Sequence, residues 1–179
     1  MAISATEIFA HHPESYNAQL KSLFESGRDP FSLPGLRFTR EHAESVTINS
    51  VTSGAVIMAG SGMCTGGRVR HHLRHNLARA ESSVVFVGYA ANGTLARQII
   101  DGARNVNLFG DEIPIRAHIH TIGGFSAHAD QAELLDWYGK TDAGLTMLVH
   151  GEQAAMRGFA GKIAGAHVLM PELNQTVEL

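Results

Sequence analysis

Cysteine is almost absent from this chain: Cys64 is the only one among 179 residues. A single thiol cannot form an intramolecular disulfide, and it makes a cysteine-based metal site unexpected. Long apolar runs are also lacking, since no stretch approaches the roughly 20 residues of a membrane-spanning helix. The first residues show no basic segment followed by an apolar one, so we expect no signal peptide. These absences predict a cytoplasmic protein.

A strong net charge is lacking as well. The formal charge is −3, and arginine outnumbers lysine by 11 to 3. A weakly acidic balance does not indicate nucleic-acid binding by the whole surface. The basic residues are clustered, however: four arginines and three histidines lie in "RVRHHLRHNLAR", residues 68–79. Arginine binds phosphate oxygens well. This segment is therefore a candidate contact for an RNA backbone, although a solvated basic helix face explains it equally.

The alternation of apolar segments and helical patterns predicts the fold class. "GAVIMAG" (54–60) and "SSVVFVGY" (82–89) are typical of buried parallel strands. Helical patterns follow each of them, and Val69, Leu73 and Leu77 are spaced to form one apolar helix face. Further strand and helix patterns alternate to the end of the chain. We therefore expect an α/β fold with a mainly parallel sheet flanked by helices.

A glycine-rich turn, "GSGMCTGGR", precedes the basic helix. Backbone N–H groups in such a turn can bind phosphate with help from the helix dipole. The turn lacks the Lys-Ser/Thr pair of a P-loop and the third glycine of a dinucleotide-binding loop, so neither ATP nor NAD is expected. An anion-binding turn and a tight packing turn both remain open. The candidate residues are Gly62, Gly66, Gly67 and Arg68.

Two histidines stand at the ends of predicted elements. His128 follows "GGFSA" at the start of a predicted helix, with Ser126 as the expected N-cap. His150 ends the apolar strand "TMLV", and sites gather where strands of an α/β sheet end. Structural roles for both remain the alternative. By contrast, His118 and His120 share a strand face and lack a following Asp-His, so a solvent-facing edge explains them.

Four motifs in order carry a resemblance to a known family. "SGMCTGGR", "VGYAANGTLAR", "GFSAHAD" and "LVHGE" resemble the C-terminal half of a β-CASP ribonuclease, a group of RNA nucleases with a metallo-β-lactamase fold. RNase J and the cleavage subunit of eukaryotic pre-mRNA 3′-end processing belong to this group. The resemblance covers nearly the whole chain. It implies a β-CASP domain over residues 1–122 and the C-terminal portion of a metallo-β-lactamase αββα sandwich over residues 123–179.

The resemblance also implies roles for the motif residues. His128 would lie beside the scissile phosphate, which Ser126 and the Ala127 backbone would help to hold, and Asp130 would support the loop. His150 would bind one of two zinc ions. The wall of the RNA channel, close to the glycine-rich turn, would include Gly93, Thr94 and Arg97.

One departure from the family limits these expectations. The signature H-x-H-x-D-H, which carries most of the family's zinc ligands, does not occur in the 179 residues. Zinc takes four or more ligands, so we expect this chain alone to retain no zinc and to be inactive. Three hypotheses follow: a fragment of a zinc-dependent RNase that self-associates or packs on an N-terminal half, a non-catalytic RNA-binding module, or a half-enzyme completed in trans.

Overall fold

Four α-helices precede the first strand in a computed structural model that describes residues 2–125, 128–163 and 167–178. The helices are α1 (Ala2–His11), α2 (Ala18–Glu25), α3 (His42–Thr47), α4 (Val69–Asn76), α5 (Leu95–Ile100), α6 (Gln131–Tyr138) and α7 (Gln153–Ala160). The strands are β1 (Ser83–Val87), β2 (Asn105–Leu108), β3 (Asp111–Pro114), β4 (His118–Ile122), β5 (Leu145–Met147) and β6 (His167–Leu169). Within these ranges, no helix has the length and apolar character to cross a membrane.

The described residues form three strand pairs, of which two are parallel. β1 runs parallel to β4, with Val87 opposite Ile122, and β5 runs parallel to β6. β2 and β3 form an antiparallel hairpin. Because helices connect the parallel strands, the predicted α/β class with parallel pairing flanked by helices is confirmed.

The core lies between α4, α5 and the strands β1 and β2. Leu77, Ile99 and Leu108 are fully buried in it. The predicted apolar face of α4 is confirmed, because Leu73 and Leu77 are buried and Val69 packs against the same cluster. The Leu77 carbonyl also accepts hydrogen bonds from the backbone N–H groups of Arg116 and Ala117, at 2.8 and 3.0 Å. The end of α4 therefore fixes where β4 begins.

The predicted buried strand over residues 54–60 is wrong. Residues 55–59 have no strand pairing, and the side chains of Val56 and Met58 are 87% and 74% exposed. An apolar β-type sequence forms a strand only where a neighbour completes its backbone hydrogen bonds. Among the described residues β1 pairs with β4 alone, so this segment has no ladder partner.

Candidate functional site

Two of the predicted motifs leave the sheet at the same edge. β1 and β4 are parallel and end opposite each other, and the backbone N–H of Gly88 donates to the Ile122 carbonyl at 2.9 Å. The loop 88–94 ("GYAANGT") and the segment beginning at Gly123 ("GGFSAHAD") therefore both start at the carboxyl edge of this pair. Binding sites of open α/β sheets form at this edge.

The glycine-rich turn packs against the start of α5. The Met63 carbonyl accepts a hydrogen bond from the Ala96 N–H at 3.2 Å, and the Met63 sulfur lies 3.2 Å from the Ala91 nitrogen. Gly67 has a φ of +77°, and an added Cβ would come within 3.0 Å of the Gly60 carbonyl oxygen. The turn thus depends on glycine at position 67, and it brings a third motif to the loop 88–94.

The start of α5 includes Thr94 and Arg97, and Gly93 precedes them with a φ of +79°. Thr94 is the N-cap: its Oγ1 accepts from the Arg97 N–H at 3.2 Å and donates to the Ala91 carbonyl at 2.7 Å. The Arg97 guanidinium forms an ion pair with Asp101, at 2.8 and 2.9 Å, which raises the arginine's pKa. Any phosphate that contacts Arg97 must share this guanidinium with Asp101.

Glu152 connects the fourth motif to the same loop. Its Oε1 accepts hydrogen bonds from the Tyr89 hydroxyl and from the Asn92 backbone N–H, both at 3.0 Å. The bond from Asn92, and then that from Tyr89, lowers the pKa of Glu152. The hydrogen bond from Tyr89 to Glu152 raises the pKa of Tyr89, because ionisation of the hydroxyl would remove the donated proton. The motif "LVHGE" is therefore held against "GYAANGT".

His150 lies just past β5 in an uncommon backbone conformation. The Leu148 N–H donates to the Leu169 carbonyl at 2.9 Å and extends the β5–β6 pairing by one residue. His150 then adopts a φ of +62°, which few residues other than glycine do, and it is exposed. The strand end thus presents this imidazole to solvent two residues before Glu152.

The "GFSAHAD" motif is described only in part. Ser126 and Ala127 lie outside the described residues, while His128 and Asp130 are exposed ahead of α6. Asp130 is the N-cap of α6: it accepts from the Glu133 N–H at 2.9 Å, and its own N–H donates to the Glu133 carboxylate at 2.9 Å. The expected helix start at His128 is therefore wrong, because this reciprocal capping box starts the helix at Gln131. The residue expected as N-cap, Ser126, lies outside the described residues.

The arginines of the basic segment mostly bind protein groups. The Arg68 guanidinium donates to the carbonyls of Thr39, at 2.5 Å, and Arg40. Arg79 donates to the Thr52 carbonyl at 2.6 Å. These bonds attach the segment 39–52, which contains α3, to the residues that flank α4. The basic pattern thus contains structural contacts that spacing along one helix cannot indicate.

The opposite side of α4 meets the tip of the β2–β3 hairpin. Arg74 forms an ion pair with Asp111. The ring of His71 stacks on Phe109 with centroids 4.4 Å apart, and the Arg70 guanidinium lies 4.7 Å from the same ring.

The predicted exposure of His118 and His120 on β4 is confirmed.

The residues that sequence reasoning missed are Tyr89 and Glu152. Both lie inside quoted motifs, but their hydrogen bond joins positions 63 residues apart. The capping box Asp130–Glu133 did have a local signal, the Asp-x-x-Glu spacing in "DQAE".

The described residues do not fit a zinc pair by themselves. Among residues 2–125, 128–163 and 167–178, no group of three or more His, Cys, Asp or Glu side chains is arranged to hold a metal ion. The acidic neighbour of His150 in the sequence, Glu152, has its carboxylate occupied by Tyr89 and Asn92. His150 could supply one ligand, which is too few for zinc.

Two family models match the chain. The Beta-Casp domain matches residues 1–99, and the Zn-dependent metallo-hydrolase RNA specificity domain matches residues 112–171. These matches include the glycine-rich turn, the loop 88–94 and both candidate histidines.

Curated relatives are similar over most of this chain. Ribonuclease TTHA0252 of Thermus thermophilus is 41% identical over 138 residues, which cover 77% of this chain and 32% of the relative. Transcription termination factor FttA of Pyrococcus abyssi is 32% identical over 160 residues, 85% of this chain and 25% of the relative. FttA of Methanocaldococcus jannaschii is 29% identical over 171 residues, 91% of this chain and 27% of the relative. The chain thus spans between a quarter and a third of the length of these relatives.

Proposed function

Because this chain belongs to the Beta-Casp family, we propose that it forms part of a zinc-dependent hydrolase that cleaves phosphodiester bonds in RNA. The observation that carries the proposal is the Glu152 carboxylate, which holds the loop after His150 against the loop after β1. The descriptions of the matched families, a metallo-hydrolase and an RNA specificity domain, support the same chemistry. So does the name ribonuclease of the Thermus thermophilus relative.

In this proposal the segment after β4 handles the reacting phosphate. His128 donates a hydrogen bond or a proton to a phosphate oxygen, since imidazole can act as an acid near neutral pH. Ser126 and the backbone of Ala127 hold the same phosphate, and Asp130 supports them by fixing the start of α6. All four positions follow the carboxyl end of β4.

The walls of the RNA path come from the neighbouring elements. The start of α5 and the glycine-rich turn are joined through Met63 and Ala96, so an RNA strand crossing one would meet the other. The proposed contact residues are Gly62, Gly66, Gly67, Arg68, Gly93, Thr94 and Arg97. The proposed division into a β-CASP domain over 1–122 and a metallo-β-lactamase portion over 123–179 places this path on the first and the phosphate-handling residues on the second.

Because the described side chains offer too few metal ligands, we propose that this chain does not hydrolyse RNA alone. His150 would be one ligand of a metal site that residues outside these 179 complete, because the described side chains offer no set of three. The exposed apolar side chains of Val56, Met58 and Phe125 support a partner surface. That partner is a chain carrying H-x-H-x-D-H or a second copy of this one.

The test combines metal content with cleavage. The purified chain is analysed for zinc and incubated with labelled single-stranded RNA, alone and with a separately produced β-CASP chain that carries H-x-H-x-D-H but lacks this half. We expect zinc near zero and no cleavage alone, and cleavage with the complementing chain. His150→Ala should abolish the restored cleavage. His118→Ala, which replaces an exposed histidine of β4, should preserve it.

Two results would contradict the proposal. About two zinc ions per isolated chain together with cleavage would mean that the ligand set is complete here. RNA binding without cleavage in the complemented mixture, although zinc is bound, would favour the non-catalytic RNA-binding module instead.

A further inference from the structure

A cleft lined by histidines lies between α3 and α4. Its volume is about 140 Å³, well above the roughly 10–15 Å³ that one water requires. His42 lines it from α3, and Arg68, His71, His72 and His75 line it from the α4 side. None of the lining residues that the structure describes is acidic. The cleft therefore has hydrogen-bond donors and positive charge without a carboxylate to neutralise them.

Two buried polar atoms on the wall of this cleft lack partners. His72 is only 8% exposed, and its Nε2 lies 3.2 Å from the Ser45 hydroxyl. Its Nδ1 and the Oδ1 of Asn49 are buried without a hydrogen-bond partner among the described residues. Buried polar atoms are nearly always hydrogen-bonded. If the Ser45 hydroxyl donates to Nε2, then Nδ1 carries the proton and is a donor that needs an acceptor.

The charges around His72 favour an anion as that acceptor. Burial lowers the pKa of His72, and the nearby His75, His71 and Arg68 lower it further. The cleft therefore resists a further positive charge, and a bound anion would relieve this repulsion. Arg68 donates to the neutral carbonyls of Thr39 and Arg40 and forms no ion pair with a carboxylate among the described residues.

Two carboxylates on elements that neighbour α4 have partners of their own. Glu44 of α3 accepts hydrogen bonds from the backbone N–H groups of Arg40 and Glu41 at the start of that helix. Asp111 of the β2–β3 hairpin pairs with Arg74. The other hairpin group against α4 is Phe109, which stacks on His71. A metal ion does not fit, because these donors form no group of three suited to one.

We propose that the cleft between α3 and α4 binds an oxyanion of the phosphate class, with His42, His71, His72 and His75 as donors. Arg68 lines the cleft and also belongs to the glycine-rich turn, whereas the four histidines lie outside that turn and outside the loops at the carboxyl edge of β1 and β4. The site goes beyond the proposed hydrolase and can be present whether or not that proposal holds. Its occupant is either a free phosphate ion or a phosphodiester of bound RNA.

Sulfate is the probe for the first experiment. Sulfate keeps its charge between pH 6 and pH 8, whereas a phosphate group titrates there. A change in sulfate affinity with pH therefore reports a change in the charge of the protein. A bound anion favours the charged form of an imidazole beside it, so sulfate should bind more tightly as the pH falls. Sulfate titrations followed by NMR of the histidine ring signals should give binding at pH 6 that is at least about tenfold tighter than at pH 8.

Matched double variants locate the binding. His42→Gln/His75→Gln removes two exposed imidazoles of the cleft and leaves the buried His72 in place. His118→Gln/His120→Gln removes two exposed histidines of β4. We expect the cleft variant to weaken sulfate binding at pH 6 about tenfold or more, and the control to change it less than about twofold. Circular dichroism confirms that both are folded.

Competition with RNA then identifies the source of the oxyanion. If the occupant is an RNA phosphodiester, a short single-stranded RNA displaces sulfate and binds the cleft variant more weakly than the control variant. If it is a free ion, phosphate displaces sulfate while the RNA does not. The absence of saturable sulfate binding at both pH values, or an equal loss in both double variants, would overturn the proposal.

Discussion

The Tyr89 hydroxyl donates a hydrogen bond to Glu152 Oε1 at 3.0 Å, across 63 residues of sequence. The same oxygen accepts the Asn92 N–H. Neither residue was expected to have a role of its own, yet together they decide how the loop after β1 meets the loop after His150. The position of His150 relative to Gly93 and Thr94 therefore depends on a carboxylate that need not touch RNA.

Replacing the Glu152 carboxylate should loosen the loop after β1. Glu152→Gln keeps an acceptor oxygen but removes the charge that strengthens both hydrogen bonds. We expect the Asn92 amide to exchange with solvent roughly two- to tenfold faster, and faster still in Glu152→Ala. Hydrogen-exchange NMR measures this, with Glu81→Gln as a control on the loop before β1. An unchanged Asn92 rate would mean that other contacts fix this loop.

The same hydrogen bonds predict an acid-dependent change. They lower the pKa of Glu152 in the folded chain. The stabilisation they give is therefore fully present above the unfolded value of about 4.3 and is lost as the pH falls through the lower folded value. The protection of the Asn92 amide should stay constant from neutral pH to about 5 and decline below about 4. The Glu152→Gln variant should lack this decline, and a decline of equal size in that variant would assign it to another carboxylate.

Local patterns in the sequence predicted local structure well. The apolar spacing of Val69, Leu73 and Leu77 gave the buried face of α4, because helix periodicity determines which side chains share a face. The sequence runs that contain β1 and β4 were also predicted as strands. They form strands because each pairs with the other.

Features that depend on distant residues were not predictable in this way. "GAVIMAG" has a strand composition, but a ladder requires a partner strand that the sequence pattern does not specify. The arginines that flank α4, Arg68 and Arg79, could not be distinguished from a solvated basic face by sequence pattern, because their partners are carbonyls of Thr39, Arg40 and Thr52. For Asp130 the local signal was present, because Glu133 follows it at the spacing of a capping box.

Asp130 can be tested for a structural and a chemical role separately. Asp130→Ala removes the N-cap of α6 and should lower the free energy of unfolding by about 1 kcal/mol, a fall in Tm of roughly 2–4 °C. Asp130→Asn should keep nearly all of the stability, because asparagine caps helices as well as aspartate does. Thermal denaturation measures both, with Asp142→Ala, an exposed loop carboxylate, as the control.

The two Asp130 variants also separate the roles in cleavage. If Asp130 acts only by fixing the start of α6, Asp130→Asn should retain the RNA cleavage that the complementing chain restores. Loss of that cleavage in a variant of normal stability would instead assign the carboxylate a direct part in handling the phosphate.

The glycine-rich turn offers a matched pair of neighbouring glycines. Gly67 has a φ of +77° and its added Cβ would lie 3.0 Å from the Gly60 carbonyl oxygen, a backbone atom that cannot rotate away. Gly66 does not have a positive φ, and an added Cβ there would meet nothing within 4 Å. We expect Gly67→Ala to destabilise the fold by about 1–2 kcal/mol from its left-handed backbone alone. Gly66→Ala should stay within roughly 0.5 kcal/mol of the parent chain.

The consequence of Gly67→Ala should reach the start of α5. The turn carries Met63, whose carbonyl accepts the Ala96 N–H, so displacement of the turn should speed hydrogen exchange at Ala96. Gly66→Ala should leave that amide unchanged. If both variants protect Ala96 as the parent chain does, the turn and α5 are positioned independently. The glycine-rich turn would then lose its proposed place in the wall of the RNA path.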